Sequence, residues 1–147
     1  MITHASIEID APAALVWDVY GDVERWAEWS DSITEIAAIG ESDLSIGHRY
    51  RIKQPRMPSL VWKVTALEPG RSWTWVQSSP GGRTTAVHEV VPLDEGRTLV
   101  RQSLEQAGPL GGLFGRLMKG LTGRYLEMES RGLKERCEQQ HRSADAA

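Results

Sequence analysis

The hydrophobic pattern of the chain changes period twice. In "THASIEID" apolar and polar residues alternate, Ile7 and Ile9 on one side and Ser6 and Glu8 on the other, which predicts a strand. In "DAPAALVWDVYGD" the spacing lengthens, and Leu15, Val16 and Val19 form the stripe of a helix. Asp10 is placed to cap it, Pro12 suits its first turn and Gly21 ends it. "DVERWAEWS" predicts a second short helix, capped by Asp22, with Val23, Trp26 and Trp29 at helical spacing. From there to about Gly108 the period returns to two. "ITEIAAIG" and "GHRYRIKQP" read as strands, the second setting Tyr50 and Ile52 opposite Arg49, Arg51 and Lys53. "SLVWKVTALEPG", "RSWTWVQSSPGG", "RTTAVHEVVPLDEG" and "RTLVRQSLEQAG" follow. Turn signals at Glu68-Pro69-Gly70, Ser79-Pro80-Gly81-Gly82 and Asp94-Glu95-Gly96 reverse the chain between them, as antiparallel hairpins require.

The last segment, Leu110 to His141, is helical. Phe114, Leu117, Met118, Leu121, Tyr125 and Met128 recur every three or four residues, and Glu127–Arg131 and Lys134–Glu138 can pair one turn apart. The expected fold class is α+β: a curved antiparallel sheet of about seven strands gripping a long C-terminal helix. Two short helices follow the first strand. Residues 1–142 form one domain and 143–147 a disordered tail. Six glycines interrupt the terminal segment: Gly111, Gly112, Gly115, Gly120, Gly123 and Gly132. Each one inside a helix costs about 1 kcal/mol relative to Ala. Close approach of helix and sheet, a mobile first turn, or a helix that starts only near Arg116 would each account for them.

Composition narrows the function classes. The 147 residues carry 17 basic and 20 acidic side chains, net charge −3, with no basic face for nucleic acid. The single cysteine, Cys137, excludes an internal disulfide framework. No apolar run is long enough to span a bilayer, so no membrane insertion is expected. The N-terminus lacks a signal-peptide pattern, and the expected location is cytoplasmic. "GRLMKGLT" has the glycine spacing of a phosphate loop, but Leu121 stands where its lysine must be. "HEVVP" begins like a zinc-protease helix and fails at Pro92, and the four histidines show no ligand spacing, so neither metal nor cofactor is expected.

The order of elements resembles the START-like (helix-grip, SRPBCC) superfamily, specifically its polyketide cyclase/dehydrase-like branch. The stretches that carry the resemblance are "IDAPAALVWDVYGDVERWAEW", "LVWKVTALEPGRSWTWVQSSPGG", "VHEVVPLDEGRTLVRQ", and "GPLGGLFGRLM" running into "LKERCEQ". None is a catalytic signature. The resemblance implies an internal cavity between sheet and helix that holds a small apolar or aromatic ligand.

Six tryptophans against one phenylalanine give that implication weight. Trp73, Trp75 and Gln77 share one strand face, and Trp62 shares another with Leu60, Val64 and Ala66. They either fill the core or wall a cavity. Trp62, Trp75, Phe114, Met118 and Leu121 are the expected apolar contacts of a ligand. His88, on one face with Ala86 and Val90, joins Tyr50 and Gln102 as polar groups to orient it, while Glu89 and Arg101 turn to solvent. The leading reading is a non-catalytic binder or carrier, monomeric or a homodimer. The rival is a cyclase/aromatase or dehydratase in which His88 or Tyr50 moves protons. A third reading, a cavity-filled regulatory or interaction module, would show an exposed apolar patch or dimer formation.

Overall fold

In the computed structural model, which describes residues 1–146, the alternating segments form one seven-stranded antiparallel sheet. Its strands are β1 (Ile2–Ile9), β2 (Glu35–Ile39), β3 (Arg49–Lys53), β4 (Leu60–Glu68), β5 (Ser72–Ser79), β6 (Gly82–Asp94) and β7 (Arg97–Ala107). The spatial order is β1-β7-β6-β5-β4-β3-β2. Each strand from β2 to β7 therefore pairs with its neighbour in sequence, and β1 closes against β7. Helix α1 (Ala13–Gly21) and a 3-10 helix (Val23–Glu28) follow β1; α2 (Gly111–Leu117) and the long α3 (Lys119–Ala146) end the chain. This is the α+β helix-grip arrangement, a curved sheet with its concave face against one long helix.

Local rules decided some boundaries and failed at others. The Asp10 carboxylate does not cap α1: the N-cap is Pro12, and the Asp10 N–H instead donates to Glu138 Oε2 at 2.9 Å, tying β1 to α3. Asp22 is the N-cap residue of the 3-10 helix, as expected, but its side chain makes no cap hydrogen bond and its carboxylate pairs with Arg25 at 3.5 Å instead. The terminal helix breaks at Met118, and α3 continues to Ala146, past Ser143 where a tail was expected; Ala147 lies outside the described residues.

The face of α3 that meets the sheet is rotated from the expected stripe. Tyr125, Leu126, Glu129, Ser130, Leu133 and Cys137 are buried, whereas Met128 is exposed. In β4 a bulge between Val64 and Ala66 makes Thr65 an extra residue. Trp62 and Val64 face inward before it and Leu67 after it, so Ala66, expected inside, is outside.

The glycines divide by what surrounds them. At Gly132 a Cβ would collide with the Trp29 carbonyl, so α3 crosses the end of the 3-10 helix backbone to backbone. Gly115 sits against the Gln106 side chain. Gly112, Gly120 and Gly123 have nothing around them that a methyl group would meet. G123A should therefore stabilise the protein by about 0.5–1 kcal/mol, the helix-propensity difference alone. A lowered midpoint in urea would show that Gly123 has a packing role.

Candidate functional site

A cavity of about 390 Å³ lies between the inner face of the sheet and helices α2 and α3. Alternation in β4 and β5 brings Trp62 and Trp75 to its wall, and the 3-10 helix adds Trp26. Leu104 of β7, Leu126 of α3 and Phe114 of α2 are among the other apolar residues that line it. Trp75 is the hub, with ring centroids 5.5 Å from Trp26, 6.0 Å from Trp62 and 5.0 Å from His88. Trp73, on the same strand face, is fully buried behind this layer and stacks on His88 at 4.2 Å. The two alternating tryptophans thus serve different ends: Trp73 closes the core and Trp75 walls the cavity.

Polar groups interrupt the apolar wall at several points. His88 on β6 is buried between Trp73 and Trp75, and its Nδ1–H donates to the Trp73 carbonyl at 3.3 Å. That bond selects the tautomer and leaves Nε2 as an acceptor. Burial pushes the imidazole down from 6.5 to about 3, opposed by this hydrogen bond, so His88 is neutral across the physiological range. Glu129 on α3 also lines the cavity and is only 7% exposed. Burial pushes its carboxyl up from 4.5 to about 8, opposed by the Ser32 hydroxyl, which donates to Oε1 at 3.5 Å. Near pH 7 it is mainly the neutral acid, a hydrogen-bond donor inside an apolar chamber. Gln54, Gln77, Ser79, Thr84, Gln106 and Thr122 supply the uncharged polar groups, and Arg83 stands at the α2 end.

Of the eight residues singled out from the sequence, Trp62, Trp75, His88 and Phe114 line the cavity, and the other four do not. Tyr50 is fully buried with its hydroxyl donating to the Ser42 carbonyl at 2.9 Å, towards the β2–β3 connection. Burial holds its phenol at about 12, which leaves it protonated at neutral pH. Gln102 pairs across the sheet with His88, but its amide is buried under α1 near the Tyr20 ring, off the wall. Met118 and Leu121 are half-buried at the α2–α3 junction, because the setting of α3 turns Thr122, Tyr125 and Leu126 inward instead. Glu89 and Arg101 do turn outward, paired at 3.1 Å.

Nothing in the apolar pattern alone marks Glu129 as a lining residue. The available signal was its spacing: it lies four residues after Tyr125 and four before Leu133, an acid within the buried stripe. Continuing the stripe through Met128 hid it. Elsewhere Glu41, Asp43 and His48 bring potential ligand atoms within 4.8 Å of one another, on the surface. Local partners account for them: the Ser45 hydroxyl donates to Asp43 at 2.7 Å and His48 Nδ1 to the Asp43 carbonyl at 2.7 Å.

A family described as polyketide cyclase/dehydrase and lipid transport matches residues 2–138. No curated protein sequence matches the chain. Among solved structures, the Zhui aromatase/cyclase of Streptomyces sp. R1128 superposes with a TM-score of 0.80 at 18% identity, covering 98% of this chain and 97% of that one. A START superfamily protein from Mycobacterium smegmatis gives 0.72 at 20% identity, over 95% and 98%. Norcoclaurine synthase from Thalictrum flavum, solved with dopamine and hydroxybenzaldehyde, gives 0.70 at 14%, over 92% and 84%. At these identities the likeness is one of fold.

Proposed function

Since the chain belongs to the polyketide cyclase/dehydrase and lipid transport family, we propose that it binds a small apolar or aromatic molecule in the cavity beneath α2 and α3. The observation that carries this reading is the chamber itself: about 390 Å³, walled by Trp26, Trp62 and Trp75, with a protonated carboxyl and a neutral imidazole as its titratable groups apart from Arg83 and the Tyr125 phenol. Apolar burial supplies affinity at about 25 cal/mol per Å² before ordering costs. Glu129 donates to an oxygen of the ligand and His88 accepts through Nε2, so the ligand is neutral or weakly acidic at that end.

The test uses 1-naphthol as probe. Saturating probe should raise the melting temperature, since about 100 times Kd adds about 2.7 kcal/mol. A86L, which fills the chamber from β6, should remove the shift while the variant stays folded. No shift with 1-naphthol or other fused-ring and long-chain probes at millimolar concentration would sink the reading.

One observation favours a second reading, a cyclase- or dehydratase-like enzyme. A carboxylic acid held protonated to about pH 8 is equipped to donate a proton to a carbonyl or departing hydroxyl, while the buried neutral His88 can accept a hydrogen bond at Nε2 that orients the substrate. E129Q separates the two: a carrier keeps its binding, and an enzyme keeps binding but loses turnover by about 10²-fold or more.

A further inference from the structure

Helix α2 carries an apolar face that none of the described residues covers. Leu113 is 57% exposed, Leu117 76%, Leu110 just before it 56% and Phe114 46%. The same stretch has an unusual charge pattern. From Gln106 to Leu126 there are three cations, Arg116, Lys119 and Arg124, all exposed, and no acid, in a chain whose net charge is −3. Glu105, the preceding acid, alternates to the outer face of β7. Between Leu110 and Leu121 the only polar side chains are Arg116 and Lys119.

We propose that α2 docks on an anionic membrane surface, its leucines entering the boundary between headgroups and acyl chains and the cavity turned towards the lipid. Exposed aliphatic side chains flanked by cations, without other polar groups, suit a bilayer interface, which supplies apolar depth and negative charge and needs no directional partners. A protein partner would be expected to find hydrogen-bonding groups here as well. The patch is also continuous with the cavity, because Leu110 and Phe114 belong to both. An apolar molecule could then pass between lipid and chamber without crossing water.

Three further features fit a segment that moves at such a surface. The terminal helix is broken at Met118, Gly112 and Gly120 on either side of the break have open surroundings, and α2 is only seven residues long. The seat is interfacial: no helix among the described residues is long and apolar enough to cross a membrane. The purpose of the docking rests on the cavity being a ligand site; the docking itself is measured separately.

The experiment is co-sedimentation of the full chain with vesicles of phosphatidylcholine alone and of phosphatidylcholine mixed with phosphatidylglycerol, at low and high salt. The wild type should bind the mixed vesicles at low salt and be released by high salt. R116E/K119E should weaken binding at least about tenfold, and L113D/L117D should abolish it. None of these four residues lines the cavity, so both variants should keep the melting-temperature rise with 1-naphthol. Wild-type protein that stays in the supernatant with both vesicles overturns the proposal, as does binding that neither variant alters. If sedimentation velocity instead finds a dimer that L113D/L117D dissociates, and vesicles are not bound, the patch belongs to a second copy. Docking without any 1-naphthol effect would sink the ligand reading and leave the docking standing.

Discussion

An E129Q variant should equal the wild type in stability near pH 4.5 and exceed it increasingly up to about pH 8. The wild-type carboxyl titrates at about 8 when folded and near its ordinary 4.5 when unfolded, so the native state holds the proton more tightly. Stability therefore falls as pH rises through that window and levels off above it. The full difference is up to about 5 kcal/mol. Gln is the neutral isostere of the protonated acid, so it keeps the shape and has no proton to lose. His88 acts with the opposite sign: its folded value of about 3 lies below 6.5, so stability is lost as pH falls through that interval. Between about pH 4.5 and 6.5 the two slopes cancel. Wild-type stability should form a plateau there, falling on the alkaline side through Glu129 and on the acid side through His88. Melting curves from pH 4 to 9 check this, and parallel curves for wild type and E129Q would show that Glu129 is not a buried acid.

The second large effect is expected at Gly132. A G132A methyl group would overlap the Trp29 carbonyl oxygen, and backbone, unlike a flexible side-chain tip, cannot swing aside. Helix α3 would have to lift from the end of the 3-10 helix. That would loosen the Arg136–Glu28 pair, 2.6 Å apart, and the Ser32 contact to Glu129. Overpacking of this kind costs about 1–3 kcal/mol or more, at roughly 2–4 °C of melting temperature per kcal/mol for a chain of this size. G123A, on the same helix but over open space, is the internal control and should move the midpoint the other way. Equal effects at both positions would mean that propensity, and not the crossing at Trp29, governs these glycines.

Most of the architecture was legible in local pattern. Alternation located the strands, Pro-Gly and Asp-Glu-Gly punctuation located the hairpins, and β5 showed Trp73, Trp75 and Gln77 on one face as observed. Where the structure differs from that pattern, the cause is a contact that periodicity does not encode. Asp10 has the residue type of a cap, but the helix starts two residues later, with Pro12 at its N-cap, and the Asp10 N–H ties the strand end to Glu138. Ala66 was placed inside by strict alternation, and the bulge at Thr65 moved it out. Tyr50 had the right face but the wrong depth, its hydroxyl satisfied by Ser42 away from the chamber.

The glycines show the same division. Their number in the terminal segment was visible and demanded a compensating cause, but three candidates remained. The structure distributes the causes: close approach at Gly132 and Gly115, open space at Gly112, Gly120 and Gly123, and a helix that already begins at Gly111.

By itself, then, the sequence determined the order of elements, the inward face of most strands, and the presence of a sheet with one long helix to cover it. Periodicity is a local property, set by how a backbone of 2.0 or 3.6 residues per repeat presents its side chains. Only the tertiary structure decided that Trp75 walls a chamber while Trp73 fills the core, and that Glu129 enters the chamber as a neutral acid. Depth and solvation at such positions depend on β-strands, the 3-10 helix and α3 meeting across long sequence separations. A residue's neighbours in the chain carry no record of that distance.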